Sequence, residues 1–140
     1  MRKDFGAKPL SYPQAVYIVS TWNEDGTANA MNAAWGGVSN DHEFTLCLSA
    51  NHKTVRNLQR TGAFTISMGD AAHVAACDYV GLASGNRAAD KLDKAGFTVS
   101  RSAENASLPT SSAGLGGKGP EKITSMPSCW VWQMASANST

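Results

Sequence analysis

Cysteine is scarce and its spacing offers no pairing. Cys47, Cys77 and Cys129 are odd in number and widely separated, and no two form a Cys-x-x-Cys pair. Such a set argues against a disulfide framework and for a reducing compartment, so a cytoplasmic location is expected. An excess of either charge is also lacking: 12 Lys+Arg stand against 11 Asp+Glu, a formal net charge of +1. That balance gives no electrostatic case for nucleic acid or an anionic membrane as partner. No apolar run approaches the roughly 20 residues of a membrane span. Behind Met1–Gly6 there is no apolar stretch of the secretory kind, so no leader is expected. His42, His52 and His73 have no metal-ligand spacing, and no Ser-His-Asp or Cys-His grouping stands out. Neither a metal site nor a catalytic side chain is therefore expected.

The 140 residues suffice for one domain with a core. Up to about residue 102 the chain alternates strand-like and helix-like patterns. Ala15–Trp22 is β-branched and aromatic, and Asn23-Glu24-Asp25-Gly26 is a hairpin turn leading to a return strand over Thr27–Ala34. Glu43–Ser49 alternates as a third strand. Asn51 is positioned to cap a helix over His52–Thr61 that Gly62 ends, and Ala63–Met68 is a fourth strand. Ala71–Val80 is alanine-rich and helical in pattern. Asp90–Ala95 is a short helix closed by Gly96, with a strand over Phe97–Ser100. Beyond about residue 103 the texture changes. Ser107–Pro120 is dense in Gly, Ser and Pro and has no hydrophobic period, and Cys129–Met134 is an isolated apolar run. The expected organisation is a native-like segment over 1–104 and an atypical tail over 105–140 that does not pack natively.

Two stretches carry chemistry. Asn29-Ala30-Met31-Asn32-Ala33-Ala34-Trp35-Gly36-Gly37 combines side-chain amides with small residues, so backbone can approach a flat polar ligand closely. It reads equally as a core strand running into a Gly-Gly turn, with Trp35 as filler. Ser49-Ala50-Asn51-His52-Lys53-Thr54 opens a helix, where unpaired N–H groups, a cation and a hydroxyl suit an anion. Arg56 lies on roughly the same face as Lys53. An ordinary capped surface helix with solvated basic residues fits as well. A seat for a planar heterocycle followed by a seat for a phosphate suggests a flavin mononucleotide site. Gly114–Gly119 has the glycines and lysine of a phosphate loop but lacks a Ser or Thr after Lys118.

These stretches, with Asn57-Leu58, Phe64–Met68, Ala76–Gly81, Ser84-Gly85-Asn86, Asp90-Lys91 and Ala95-Gly96-Phe97, resemble the flavin reductase family of FMN-binding split-barrel proteins. The resemblance covers about residues 1–104 in order. It implies a mainly β fold with short helices, an antiparallel, Greek-key-like barrel with FMN at a homodimer interface. By the same resemblance Asn29, Ala30, Met31, Asn32, Ala33 and Ala34, with Trp35 near the ring, would line the isoalloxazine. Ser49, Ala50, Asn51, His52, Lys53 and Thr54 would hold the ribityl chain and phosphate. Asn57 would support that turn, and Ser84 would lie near ligand or partner. The implied activity moves electrons from NAD(P)H through FMN to an external acceptor. Alternatives are an FMN-binding electron carrier without its own substrate site, or an inactive truncated fragment.

The tail departs from that family, whose members continue into further barrel strands. One such strand reads as an acidic residue and His, then an apolar run ending in Gly. Trp and Met each have a single codon, which permits a test on Lys122–Ala135. Reading from the third base of each codon, with TCN for Ser125 and Ser128, gives Asn/Asp, then Asn/His/Tyr, then an apolar residue. From Met126 it continues Ala, two apolar residues, Leu and Gly. That is a strand of the missing kind, so a slip of reading frame is expected somewhere over Ala103–Ser112.

Overall fold

The computed structural model describes residues 3–8, 12–40, 43–101, 109–111, 114–115, 123–126 and 129–133. Asp41, His42 and most of segment 105–140 lie outside them. The first strand, β1 (Tyr17–Trp22), is β-branched and aromatic, and it pairs antiparallel with β2 (Ala28–Ala33) on one side and β5 (Thr65–Met68) on the other. The intervening turn is the expected one. Gly26 takes φ 79°, and the Asp25 carboxylate accepts from the Thr27 N–H at 2.9 Å and from its hydroxyl at 2.6 Å.

A second sheet is built on β3 (Gly36–Asn40) and β4 (Glu43–Leu46). Here the structure differs from the expected Gly-Gly turn, because Gly36 and Gly37 begin a strand. A side chain at Gly36 would meet Leu46 Cδ2 at 2.9 Å, so glycine lets β3 close on β4. Segment 105–140 contributes β7 (Pro109–Ser111), β8 (Gly114–Leu115), β9 (Ile123–Met126) and β10 (Cys129–Gln133) to the described backbone. They pair with β6 (Val99–Arg101), β5, β10 and β4 respectively, all antiparallel. Backbone pairing of this kind requires no hydrophobic period, which is what the composition there lacks.

Helix α1 (Lys53–Thr61) buries Thr54, Val55, Asn57 and Leu58 on one face and ends at Gly62, where φ is 64° and the N–H reaches Leu58 O at 2.8 Å. After a 3₁₀ turn over Ala71–His73, α2 runs from Val74 to Leu82 and buries Cys77 and Val80. The Asp70 carboxylate, accepting from the His73 N–H at 2.8 Å, holds that opening turn and shifts the α-helix start past the expected Ala71. Helix α3 (Lys91–Lys94) is short and buries Lys91 and Leu92.

Two cores flank the same pair of strands. Val19 and Ala33 pack with Phe44, Leu46, Leu48, Val55, Leu58 and Phe64, joined by an edge-on Tyr17–Phe44 contact at 4.8 Å. On the other face Ile18 and Ala30 pack with Cys77, Val80 and Leu92. Burial on both faces explains why β1 reads as a continuous run rather than an alternation.

Candidate functional site

Strand β2 is an outer strand of its sheet among the described residues, with β8 at the opposite edge. Beside it, the start of α1, the end of α2 and the loop after α2 enclose a cavity of about 230 Å³. Asn29 and Met31 line it from β2, His52, Lys53 and Thr54 from α1, Val80–Leu82 from α2, Ala83–Gly85 from the loop, and Lys91 from α3.

The α1 end of the cavity differs from expectation in its cap. His52, not Asn51, occupies the N-cap, and no side chain caps the helix. The first-turn N–H groups of a helix have no intrahelical partner, and here no side chain takes them up, which leaves a positive helix end at the cavity. Lys53 adds a charge whose field also helps hold the Asp25 carboxyl below its ordinary value, behind the larger effect of the Thr27 hydrogen bonds. Thr54, almost fully buried, accepts from Asn29 Nδ2 at 2.8 Å and so ties β2 to the first turn of the helix.

At the other end sits Lys91, 3 % exposed. Its Nζ donates to Val80 O and Ala83 O, both at 3.0 Å, and no carboxylate pairs with it among the described residues. The carbonyl end of α2 is thereby covered by a cation. Burial lowers the Lys91 pKa from 10.5 to about 8. An ammonium has three N–H groups. Two go to these carbonyls, and the third remains for whatever enters the cavity. The whole arrangement suits an anion.

Glycines fix the walls. A side chain at Gly85 would strike the Asn29 amide, and one at Gly81 the Asn32 amide. Backbone therefore lies directly on two β2 side chains, from which Asn32 Nδ2 also donates to Cys77 O at 3.2 Å.

Of the residues expected at a ligand, the cavity gathers Asn29, Met31, His52, Lys53, Thr54 and Ser84. Ala30 and Ala33 are core residues of opposite faces, Ala34 is half-buried, and Trp35 is 48 % exposed. Ser49, Ala50 and Asn51 form the exposed approach to α1. Asn57 is buried away from the cavity, donating to Thr21 Oγ1 at 3.0 Å and Asn23 Oδ1 at 2.8 Å, so it fastens α1 to β1 and its turn. Sequence reasoning gave no role to Lys91 or to the end of α2. The signals were Ala76–Gly81 and Asp90-Lys91 within the family resemblance. Cys77, whose thiol is pushed up by burial, is core filler rather than a nucleophile. No group of three or more His, Cys, Asp or Glu among the described residues is arranged to hold a metal ion.

Antiparallel strands in two four-stranded sheets and one two-stranded sheet, with short helices, form the fold of the flavin reductase-like split barrels. Residues 10–118 match the flavin reductase like domain, and the chain belongs to that family. The match continues past residue 104 into the atypical segment. Among solved structures, the chain is similar to flavoredoxin of Desulfovibrio vulgaris (Miyazaki F), with TM-score 0.80, 27 % identity, and 97 % of this chain and 75 % of that one covered. It is similar in fold to flavoredoxin from Methanosarcina acetivorans, with TM-score 0.75, 21 % identity, and 96 % and 72 % coverage. An FMN-binding domain of a flavin reductases-like enzyme from Shewanella baltica gives TM-score 0.72, 22 % identity, and 87 % and 66 % coverage. The chain thus spans about two thirds to three quarters of these structures' lengths. No curated protein matches it. No helix among the described residues is long and apolar enough to cross a membrane.

Proposed function

We propose that the chain is an FMN-binding oxidoreductase of the flavin reductase type, moving electrons from NAD(P)H through flavin to an external acceptor. The observation that supports it most is the cavity, which has an uncapped helix start with Lys53 at one end and the buried Lys91 at the other, beside an outer strand. That donor set fits a phosphate joined to a planar polar ring. His52, Lys53, Thr54 and the α1 N–H groups would hold the phosphate, with Asn29 orienting the Thr54 hydroxyl. The approach over Ser49, Ala50 and Asn51 would follow the ribityl chain. The β2 stretch from Asn29 to Ala34 would offer main-chain groups to the ring edge, with Trp35 alongside and Ser84 opposite. Bound FMN supplies hydride acceptance from a reduced nicotinamide and onward electron transfer. The side chains bind, orient and exclude water, so no acid or base is required of them.

The volume, about 230 Å³, falls below the roughly 300–1,000 Å³ of sites that enclose a small molecule. Leu82, 77 % exposed, lines it, and Trp35, 48 % exposed, follows the end of β2. A second copy of the chain supplying the remaining wall, as a cytoplasmic homodimer, accounts for both. The same small volume favours a second reading, an FMN-binding electron carrier with no nicotinamide seat. Residues 1–104 are the native part of the domain in this proposal, and a frame slip separates them from 105–140. An inactive fragment is the consequence if the tail prevents closure.

The test is titration of FMN into the purified full chain, followed by NADH or NADPH. Quenched flavin fluorescence and bleaching by nicotinamide support the reductase. Binding without bleaching, but with reduction by a protein donor, selects the carrier, and a colourless protein that ignores FMN refutes both.

A further inference from the structure

Two of the cavity's walls are loops, and one exposed cluster joins them. The loop after α2 turns on Ser84, whose carbonyl accepts from the Arg87 and Ala88 N–H groups, both at 2.9 Å, while its hydroxyl accepts from the Asn86 N–H at 3.3 Å. The turn before α1 closes through His52 N–H to Ser49 O at 3.0 Å. Asn86 bridges the two turns: its Nδ2 donates to Asn51 O at 3.1 Å, and its Oδ1 accepts from Arg56 Nη2. Arg56 completes a triangle by donating through Nη1 to the same Asn51 carbonyl at 3.3 Å. On the inner side Gly85 rests against Asn29, so the loop is held from both sides, by backbone on β2 and by the triangle at the surface.

We infer that Asn86, held by Arg56, is a positioning residue that fixes the mouth of the cavity and thereby slows departure of its phosphorylated ligand. The inference rests on the flavin reading for the identity of that ligand. The latch itself consists only of this chain's contacts. Two of its three hydrogen bonds end on the Asn51 carbonyl and two involve the Asn86 amide, so removing Asn86 unties the two turns and removing Arg56 leaves the Asn86 amide a single bond to hold it in place. The two residues then act as a unit rather than as independent contributors. A guanidinium fork is needed to reach both Asn51 O and Asn86 Oδ1, which a lysine at the same position cannot span. Neither residue donates to the core, and both are exposed, so the fold does not depend on them.

The experiment uses the full chain and the variants N86A, R56A, R56K and the double variant N86A/R56A. FMN release is followed by flavin fluorescence after dilution. Tryptic cleavage after Arg87, read by mass spectrometry, reports the loop without flavin. The latch predicts release about tenfold faster in each single variant, equivalent to about 1.4 kcal/mol. It further predicts no additional increase in the double variant, R56K behaving as R56A, and faster cleavage after Arg87 in all four. Multiplying effects in the double variant, or R56K restoring wild-type release, would mean a plain charge effect on the phosphate and would overturn the latch. Unchanged cleavage after Arg87 would overturn it whether or not flavin binds. Wild-type protein that ignores FMN while the variants cleave faster refutes the flavin reading and supports the latch.

Discussion

Replacing Lys91 by Met tests the cavity's electrostatics directly. Lys91 is buried with no carboxylate partner among the described residues, and its pKa falls from 10.5 to about 8. At 1.36 kcal/mol per pKa unit, that difference represents about 3 kcal/mol, an order-of-magnitude figure. Below pH 8 the residue is charged in both folded and unfolded states, and the full penalty of burying it is present. Between pH 8 and 10.5 the folded protein has released the proton while the unfolded chain still holds it. The unfolded state then binds more protons, so stability rises with pH across that window. A neutral amine keeps two N–H donors, enough for Val80 O and Ala83 O, so the hydrogen bonds survive the titration. Denaturant midpoints of wild type and K91M should therefore diverge, wild type gaining about 2 to 3 kcal/mol relative to K91M between pH 7 and 10. Parallel profiles would refute the argument. An anionic ligand that takes the third N–H favours the charged form. Its affinity for wild type should then weaken above pH 8, by at most about tenfold per pH unit, and K91M should lack that slope.

Other expectations follow from packing and from the tail. Leu58→Ala removes a fully buried side chain of the α1 core and should destabilise by about 2–5 kcal/mol, read as a lower denaturant midpoint. Gly85→Val should push the loop off Asn29 and weaken FMN binding at least about tenfold, a cost of about 1.4 kcal/mol, with the melting transition still cooperative. Equal affinity would show that the loop is not a wall of the site. Resequencing the gene across codons 103–112 should reveal a one-frame slip. An uninterrupted clone whose shifted frame fails to extend the barrel ends that idea.

Local chemistry made part of this molecule legible before its fold was known. The Asp25-Gly26 turn and the Gly62 stop each have a backbone requirement that only certain residues meet, and they stand where the sequence places them. Strand β3 was hidden because Gly36 and Gly37 carry no side-chain pattern, and their strand exists through pairing with β4. At the site, residue types along Asn29–Trp35 and Ser49–Thr54 pointed to a ligand, yet pairing Asn29 with Thr54 depends on contacts 25 residues apart. Lys91 was unreadable for a similar reason. A lysine in Asp90-Lys91-Leu92-Asp93 has the pattern of a solvated surface, and only the end of α2 folding over it makes it a buried donor.

Strands β1 and β2 serve as a wall common to both cores, with Ile18 and Ala30 on one side and Val19 and Ala33 on the other. Neither layer can melt without stripping that wall, so the two halves should open together as one cooperative unit. Amide hydrogens of β1 should then be among the last to exchange with solvent. Whatever binds in the cavity between α1 and α2 would also slow exchange in β1, a strand that does not line it.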